Sequence, residues 1–317
     1  MKKILVSLPI VLVIIFLTSC NFLPEEEAFN VSTNNYDNKN NNGANLGFTE
    51  SNYKNVLNKL NQYRSELGLP QVDLNLGLSE GALLHTEYMS ENNTVTHYQE
   101  PDNPSYNPLG AITGMNSVLA GNVSNAVETI DLWMNSLYHR QYLLNPDLEN
   151  IGFSYSDGFA TMNLGINNSY SDTEINKDNE NYFLESIEPI IYPFDGQINV
   201  PIKFDVVEFP NPIPDYLSLP TGPFITISFN KFCKIEKINE ISITDKKGNT
   251  INKAHFLAQN KDYILAILPE NPLSPNTKYI IDVELRISSN ITSKPKNEEE
   301  YFTYKKVWSF TTGNAKK

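Results

Sequence analysis

Apolar residues recur at helical spacing in the first half of the chain. Val56, Leu57, Leu60, Tyr63 and Leu67 mark one helix, and Gly68 is placed to end it. Leu78, Ala82, His85 and Met89 mark a second, and Ala126, Val127, Ile130, Trp133, Met134 and Leu137 a third. Strand-like runs follow at 151–155 and 159–164. Helices interrupted by strands without a βαβ period predict an α+β sandwich over residues 49–170. A polar linker is expected at 171–186, and beyond it the pattern changes. Runs at 224–229, 241–244, 255–258, 263–268, 279–287 and 307–311 read as strands. Turn signals such as Lys247-Gly248-Asn249 and Pro275-Asn276 separate them, and no helical period persists. An all-β sandwich is expected over residues 187–317.

The N-terminus adds an address. Met1 to Lys3 form a basic segment, and an apolar run to Leu17 is too short for a comfortable membrane span. Leu17-Thr18-Ser19-Cys20 resembles a bacterial lipobox, so residues 1–19 read as a lipoprotein signal peptide and Cys20 as the lipidated residue. Acyl chains on Cys20 would hold the protein at the outer face of the bacterial membrane, on the cell surface. Residues 20–48 carry Glu25-Glu26-Glu27 and an asparagine-heavy run with little apolar material, and are expected to be a disordered tether. The net charge of −13 and the lack of a basic cluster argue against a nucleic-acid partner. With Cys20 lipidated, Cys233 has no disulfide partner and reads as a small buried hydrophobe.

Three segments carry the chemistry. Asn61, Arg64, Gly68 and Leu69 lie at the end of the first helix. Thr96-His97 follows the second. Residues 133–152 read WMNSLYHRQYLLNPDLENIG, with Trp133, His139, Arg140 and Ile151-Gly152 at characteristic spacing. Together they resemble the CAP superfamily, which includes cysteine-rich secretory, antigen 5 and pathogenesis-related proteins and bacterial SCP-like members. The resemblance implies an α-β-α sandwich with a cleft lined by two histidines, which match His97 and His139. Some members bind a divalent cation there. Two cleft glutamates common in the family are absent: their positions read Met115, in Gly114-Met115-Asn116, and Ser136. The run HYQEPDNPSYNPLGA resembles a bacterial subgroup and implies that Glu100 and Tyr106 line the cleft. His97, His139 and Glu100 would make the three ligands that a catalytic zinc needs. Arg140 would pair with an acid there or fix the loop. His85, on an apolar stripe, and Trp133 read as core, and His255 as surface or core.

In the second half, Leu273 to Tyr279 and Trp308-Ser309-Phe310-Thr311-Thr312-Gly313 resemble bacterial Ig-like domains, which imply a spacer or adhesive role. The chain contains no Gly-x-Ser-x-Gly elbow, His-Glu-x-x-His, phosphate loop or dinucleotide fingerprint. The combined expectation is a surface lipoprotein, leaning against enzymatic activity. Its two-histidine cleft would bind a small-molecule, lipid or cell-wall ligand. The alternatives are a metal-assisted hydrolase of peptide or cell-wall material, using zinc, and an adhesin built on the β-sandwich.

Overall fold

The computed structural model describes residues 50–166, 188–206, 208–289 and 301–314. The expected signal peptide, Cys20, the tether and the linker lie outside the described residues. An α+β module is followed by an all-β module, as the pattern predicts.

In the first module, α1 (Glu50–Glu66), α2 (Leu76–Glu91), α3 (Pro108–Met115), α4 (Ala126–Asn135) and α5 (Leu137–Leu143) surround a four-stranded sheet. Its order is β1 (Asp73–Leu74), β3 (Leu148–Ser156), β4 (Phe159–Ile166) and β2 (Ser117–Ala120), with only the β1–β3 pair parallel. Asparagines start three of the helices. The side chains of Asn75, Asn107 and Asn125 accept from the first backbone amides of α2, α3 and α4, which have no partners within the helix.

Alternation along the strands makes three layers. Val118, Ala120, Ala160 and Met162 pack with Val56, Leu60, Ile130 and Trp133 of α1 and α4. Leu119 and Phe159 pack with Met89 of α2. Trp133 is fully buried, and its indole donates to the Leu119 carbonyl at 3.0 Å. The helix expected to run through Leu137 stops earlier. Ser136 adopts an extended backbone between α4 and α5, and Leu137 turns out of the first core into a cluster with Phe204, Ile213, Phe224, Ala266 and Leu268.

The second module is two four-stranded sheets. One has the order β5 (Ile190–Tyr192), β7 (Ile225–Ser228), β10 (Lys261–Pro269), β9 (Lys253–Ala258). The other has the order β6 (Gln197–Val200), β12 (Phe302–Thr312), β11 (Lys278–Ser289), β8 (Cys233–Asp245). Ile225, Ile227, Leu265 and Ile267 meet Ile281, Val283, Leu285, Trp308 and Phe310 in the core between them. Cys233 is buried here, and burial pushes its thiol up to about 12, which fits an inert hydrophobe. His255 is exposed on β9. Strand β10 buries both faces: Leu265 and Ile267 enter this core, while Ala266 and Leu268 face the cluster that receives Leu137. The two modules are thus packed together through the outer face of the β7–β10–β9 region. Tyr192 of β5 joins the first module's core. No helix among the described residues is long and apolar enough to cross a membrane.

Candidate functional site

Two histidines lie beneath α3. His85, on α2, is completely buried, and its Nε2 faces the Thr96 carbonyl at 2.7 Å. Gln99 bridges the other nitrogen: its amide reaches His85 Nδ1 at 3.1 Å and its carbonyl accepts from the Asn107 amide at 2.9 Å. This chain of bonds is complete for a neutral ring with its proton on Nε2. His97 is buried in the loop after α2, and its Nδ1 meets the Gly114 carbonyl at 2.6 Å. The close approach explains two glycines of α3. A Cβ at Gly114 would strike the His85 ring, and one at Gly110 would strike the Gln99 amide. With its small residues turned inward, α3 shows Leu109 (44% exposed), Ile112 (52%) and Met115 (36%) to solvent. Tyr98, between two residues held against that helix, is 59% exposed.

Burial, with a smaller contribution from the neighbouring His97, holds His85 down to about 4, from an ordinary 6.5. The unfolded chain takes up this proton near 6.5 whereas the folded one resists until about 4, so acidification through that window favours unfolding. About 3 kcal/mol of stability present above pH 6.5 should be lost by pH 4. Urea melts across that range should show the slope. His85→Gln, less stable at pH 7, should flatten it.

His139 and Arg140 sit elsewhere. They were expected to line the cleft with His97; they are 3% and 2% exposed and turn toward the second module. His139 Nδ1 lies 3.1 Å from Glu208 Oε1 and 3.1 Å from Ser136 Oγ. The buried Glu208 carboxylate also accepts from the Leu137 and Tyr138 amides at 2.9 and 2.8 Å. Arg140 donates to the Phe224 carbonyl at 3.2 Å and stacks 4.5 Å from the centre of the Tyr192 ring. Burial lowers its guanidinium to about 10.

The zinc expectation fares poorly on the donor set. Among the described residues no three His, Cys, Asp or Glu side chains gather where an ion could be held. His97 Nδ1 meets the Gly114 carbonyl and His139 Nδ1 meets Glu208, while Glu100 is exposed, its amide donating to the Tyr88 hydroxyl at 3.0 Å and its carbonyl accepting from the Asn103 amide at 2.9 Å. Because these three are not gathered together, the set His97, His139 and Glu100 does not fit a three-ligand zinc site. Tyr106 is half-buried in the turn before α3, its amide bonded to the Asn103 carbonyl at 2.9 Å. The sequence reading missed Gln99, Tyr192 and Glu208. Only Glu208 carried a signal, as an acid flanked by Val206-Val207 and Phe209.

Residues 57–166 match the family model of the cysteine-rich secretory protein family, CAP, and residues 202–312 that of a bacterial Ig-like domain. The chain carries a CAP domain followed by a bacterial Ig-like domain. Comparison with curated proteins gives no match. Among solved structures, the chain is similar to an extracellular protein containing an SCP domain from Bacillus anthracis str. Ames, at 26% identity and a TM-score of 0.31. That similarity covers 36% of this chain and 40% of the Bacillus protein. An outer surface protein from Borrelia burgdorferi is 20% identical over 38% of this chain and 96% of its own, with a TM-score of 0.30. CopC from Methylosinus trichosporium OB3b is 12% identical over 39% of this chain and 88% of its own, with a TM-score of 0.24. The CAP domain thus owns His85, His97 and His139, while Glu208 comes from the Ig-like domain.

Proposed function

We propose that this is an extracellular lipid-anchored binding protein, held at the bacterial surface through Cys20, whose CAP domain takes an apolar or amphipathic ligand beside His97. The observation that carries this reading is the inside-out helix α3. Its glycines face His85 and Gln99, and Leu109, Ile112 and Met115 face water in a row, with Tyr98 exposed nearby. A helix of a soluble domain normally buries such a stripe, and a contiguous apolar surface commonly marks a contact site. A lipid or a cell-wall component with an apolar portion suits it. The incomplete donor set and the missing family glutamates favour binding over hydrolysis. The Ig-like domain serves as the platform.

The test is titration of the purified mature chain with a fluorescent amphipathic probe such as bis-ANS, and with isolated bacterial cell wall. Burying an isoleucine on binding is worth about 1.5–3 kcal/mol, so Ile112→Asp should weaken binding by roughly ten- to a hundredfold. Being exposed, that residue should leave thermal stability nearly unchanged. Equal binding by variant and parent would refute the proposed face. Robust peptide or cell-wall hydrolysis, abolished by His139→Ala, would replace this reading with that of a hydrolase.

A further inference from the structure

We propose that Glu208 of the Ig-like domain is a positioning residue for His139 of the CAP domain, supplying from another module the carboxylate that the CAP segment lacks at Ser136. This goes beyond the ligand face at α3 and does not depend on it. The proton inventory around His139 has one solution. Ser136 Oγ donates to the Trp133 carbonyl at 2.9 Å, so toward the imidazole it can only accept. Glu208 Oε1, the other neighbour of Nδ1, is a carboxylate acceptor. Nδ1 therefore carries the hydrogen, and in the neutral ring the lone pair falls on Nε2. Free imidazole side chains favour the opposite tautomer, so the protein holds His139 in its less common form.

The carboxylate is itself fixed. The Leu137 and Tyr138 amides grip both of its oxygens, and Glu208 is 1% exposed. Within the CAP domain the other acceptor at Nδ1 is the neutral Ser136 hydroxyl, not a carboxylate. Ser136 precedes α5 without a side-chain bond to its first amides, which are left to Glu208. Charge-assisted bonds from backbone amides and an imidazole to one carboxylate are among the stronger polar contacts a protein makes. Arg140, the next residue, spans the same junction through the Phe224 carbonyl and the Tyr192 ring. The Ig-like domain is therefore part of how the CAP domain sets its second family histidine, in addition to any role as a spacer.

The experiment is nitrogen-15 NMR of the histidine rings in the full mature chain at pH 8.5, where an ordinary imidazole is neutral. In the parent, His139 should show its hydrogen on Nδ1. Glu208→Ala should move it to Nε2. Glu208→Gln should keep it on Nδ1, because the amide oxygen still accepts, and Ser136→Ala should keep it there too. The glutamine and serine variants carry the test even where the alanine variant does not fold. The proposal is overturned by an Nε2 hydrogen in the parent, by an unchanged ring in a folded Glu208→Ala, or by a move of the proton in Ser136→Ala.

Discussion

Arg64→Met should cost on the order of 3 kcal/mol of folding stability, read as a fall in the urea midpoint at constant slope. Arg64 is completely buried near the end of α1 and, among the described residues, bonds backbone carbonyls rather than a carboxylate. It ties together four of them: Pro70 at 2.7 Å, Leu143 at 2.8 Å, Asn145 at 3.0 Å and Leu148 at 3.3 Å. Leu143 closes α5, where unbonded carbonyls and the helix dipole give a partial negative charge that suits a cation. The guanidinium fork reaches acceptors on the α1 turn, the end of α5 and the start of β3 together. Methionine fills much of the volume and leaves all four without this donor. Loss of the cation also removes the cost of burying it, which shows as a guanidinium lowered to about 10, so the net effect is smaller than four full bonds. Arg64→Lys should fall between the two, since an ammonium cannot match the fork. A change below about 0.5 kcal/mol in the methionine variant, the range of ordinary surface substitutions, would refute the staple.

This arginine shows how much the sequence could say. The helical stripes and the Asn61, Arg64 and Gly68 spacing were legible because each depends on local geometry. Asn61 bonds both the amide and the carbonyl of Val72 at 2.8 and 2.9 Å, and Gly68 takes a φ of +70° at the helix end. Most of the β-sandwich was legible from alternation. Strand β8 was foreseen only at 241–244, with an alternating stretch noted at Cys233, because register shifts between Ile235 and Lys237 and between Ile238 and Glu240 interrupt the alternation. Helix α3 was invisible because its inward face is made of Gly110 and Gly114 and its apolar residues point outward, which reverses the usual stripe.

The candidate site was legible in part. His97 and His139 were singled out as cleft residues because the motifs place them in sequence, and both are buried. Their surroundings depend on contacts far apart in the chain. Glu208 lies 69 residues beyond His139 and bonds largely to backbone amides, which carry no side-chain identity that a sequence could reveal. Leu137 looked like another residue of the Trp133 stripe. Its true neighbours, Phe204, Phe224 and Leu268, belong to the other module. Periodicity reports that a residue is buried without naming the core that takes it.

Gly152→Ala should be the most damaging single methyl in the CAP domain, costing about 3 kcal/mol or more. Gly152 lies in β3 between Ile151 and Phe153, which both enter the α1–α4 core, so position 152 faces α2. There a Cβ would fall well inside 3.0 Å of the Leu78 carbonyl and the Ser79 amide. These are backbone atoms, so no rotamer change relieves the clash, and α2 must move off the sheet. Its seating bonds lie at this same contact: the Asn75 amide to the Ile151 carbonyl at 2.8 Å, and the Phe153 amide to Ser79 Oγ at 3.2 Å. Gly77→Ala supplies the control. It adds a methyl to the same helix, but meets only the Asn75 side chain at 3.3 Å, and should stay within about 1 kcal/mol of the parent. Because α2 carries His85 and leads into His97, the Gly152 variant should also alter the histidine NMR signals of both rings and weaken probe binding beside α3. Equal stability of the two alanine variants would mean that the helix does not seat on the strand at this glycine, and the family's Ile-Gly pair would then need another physical reason.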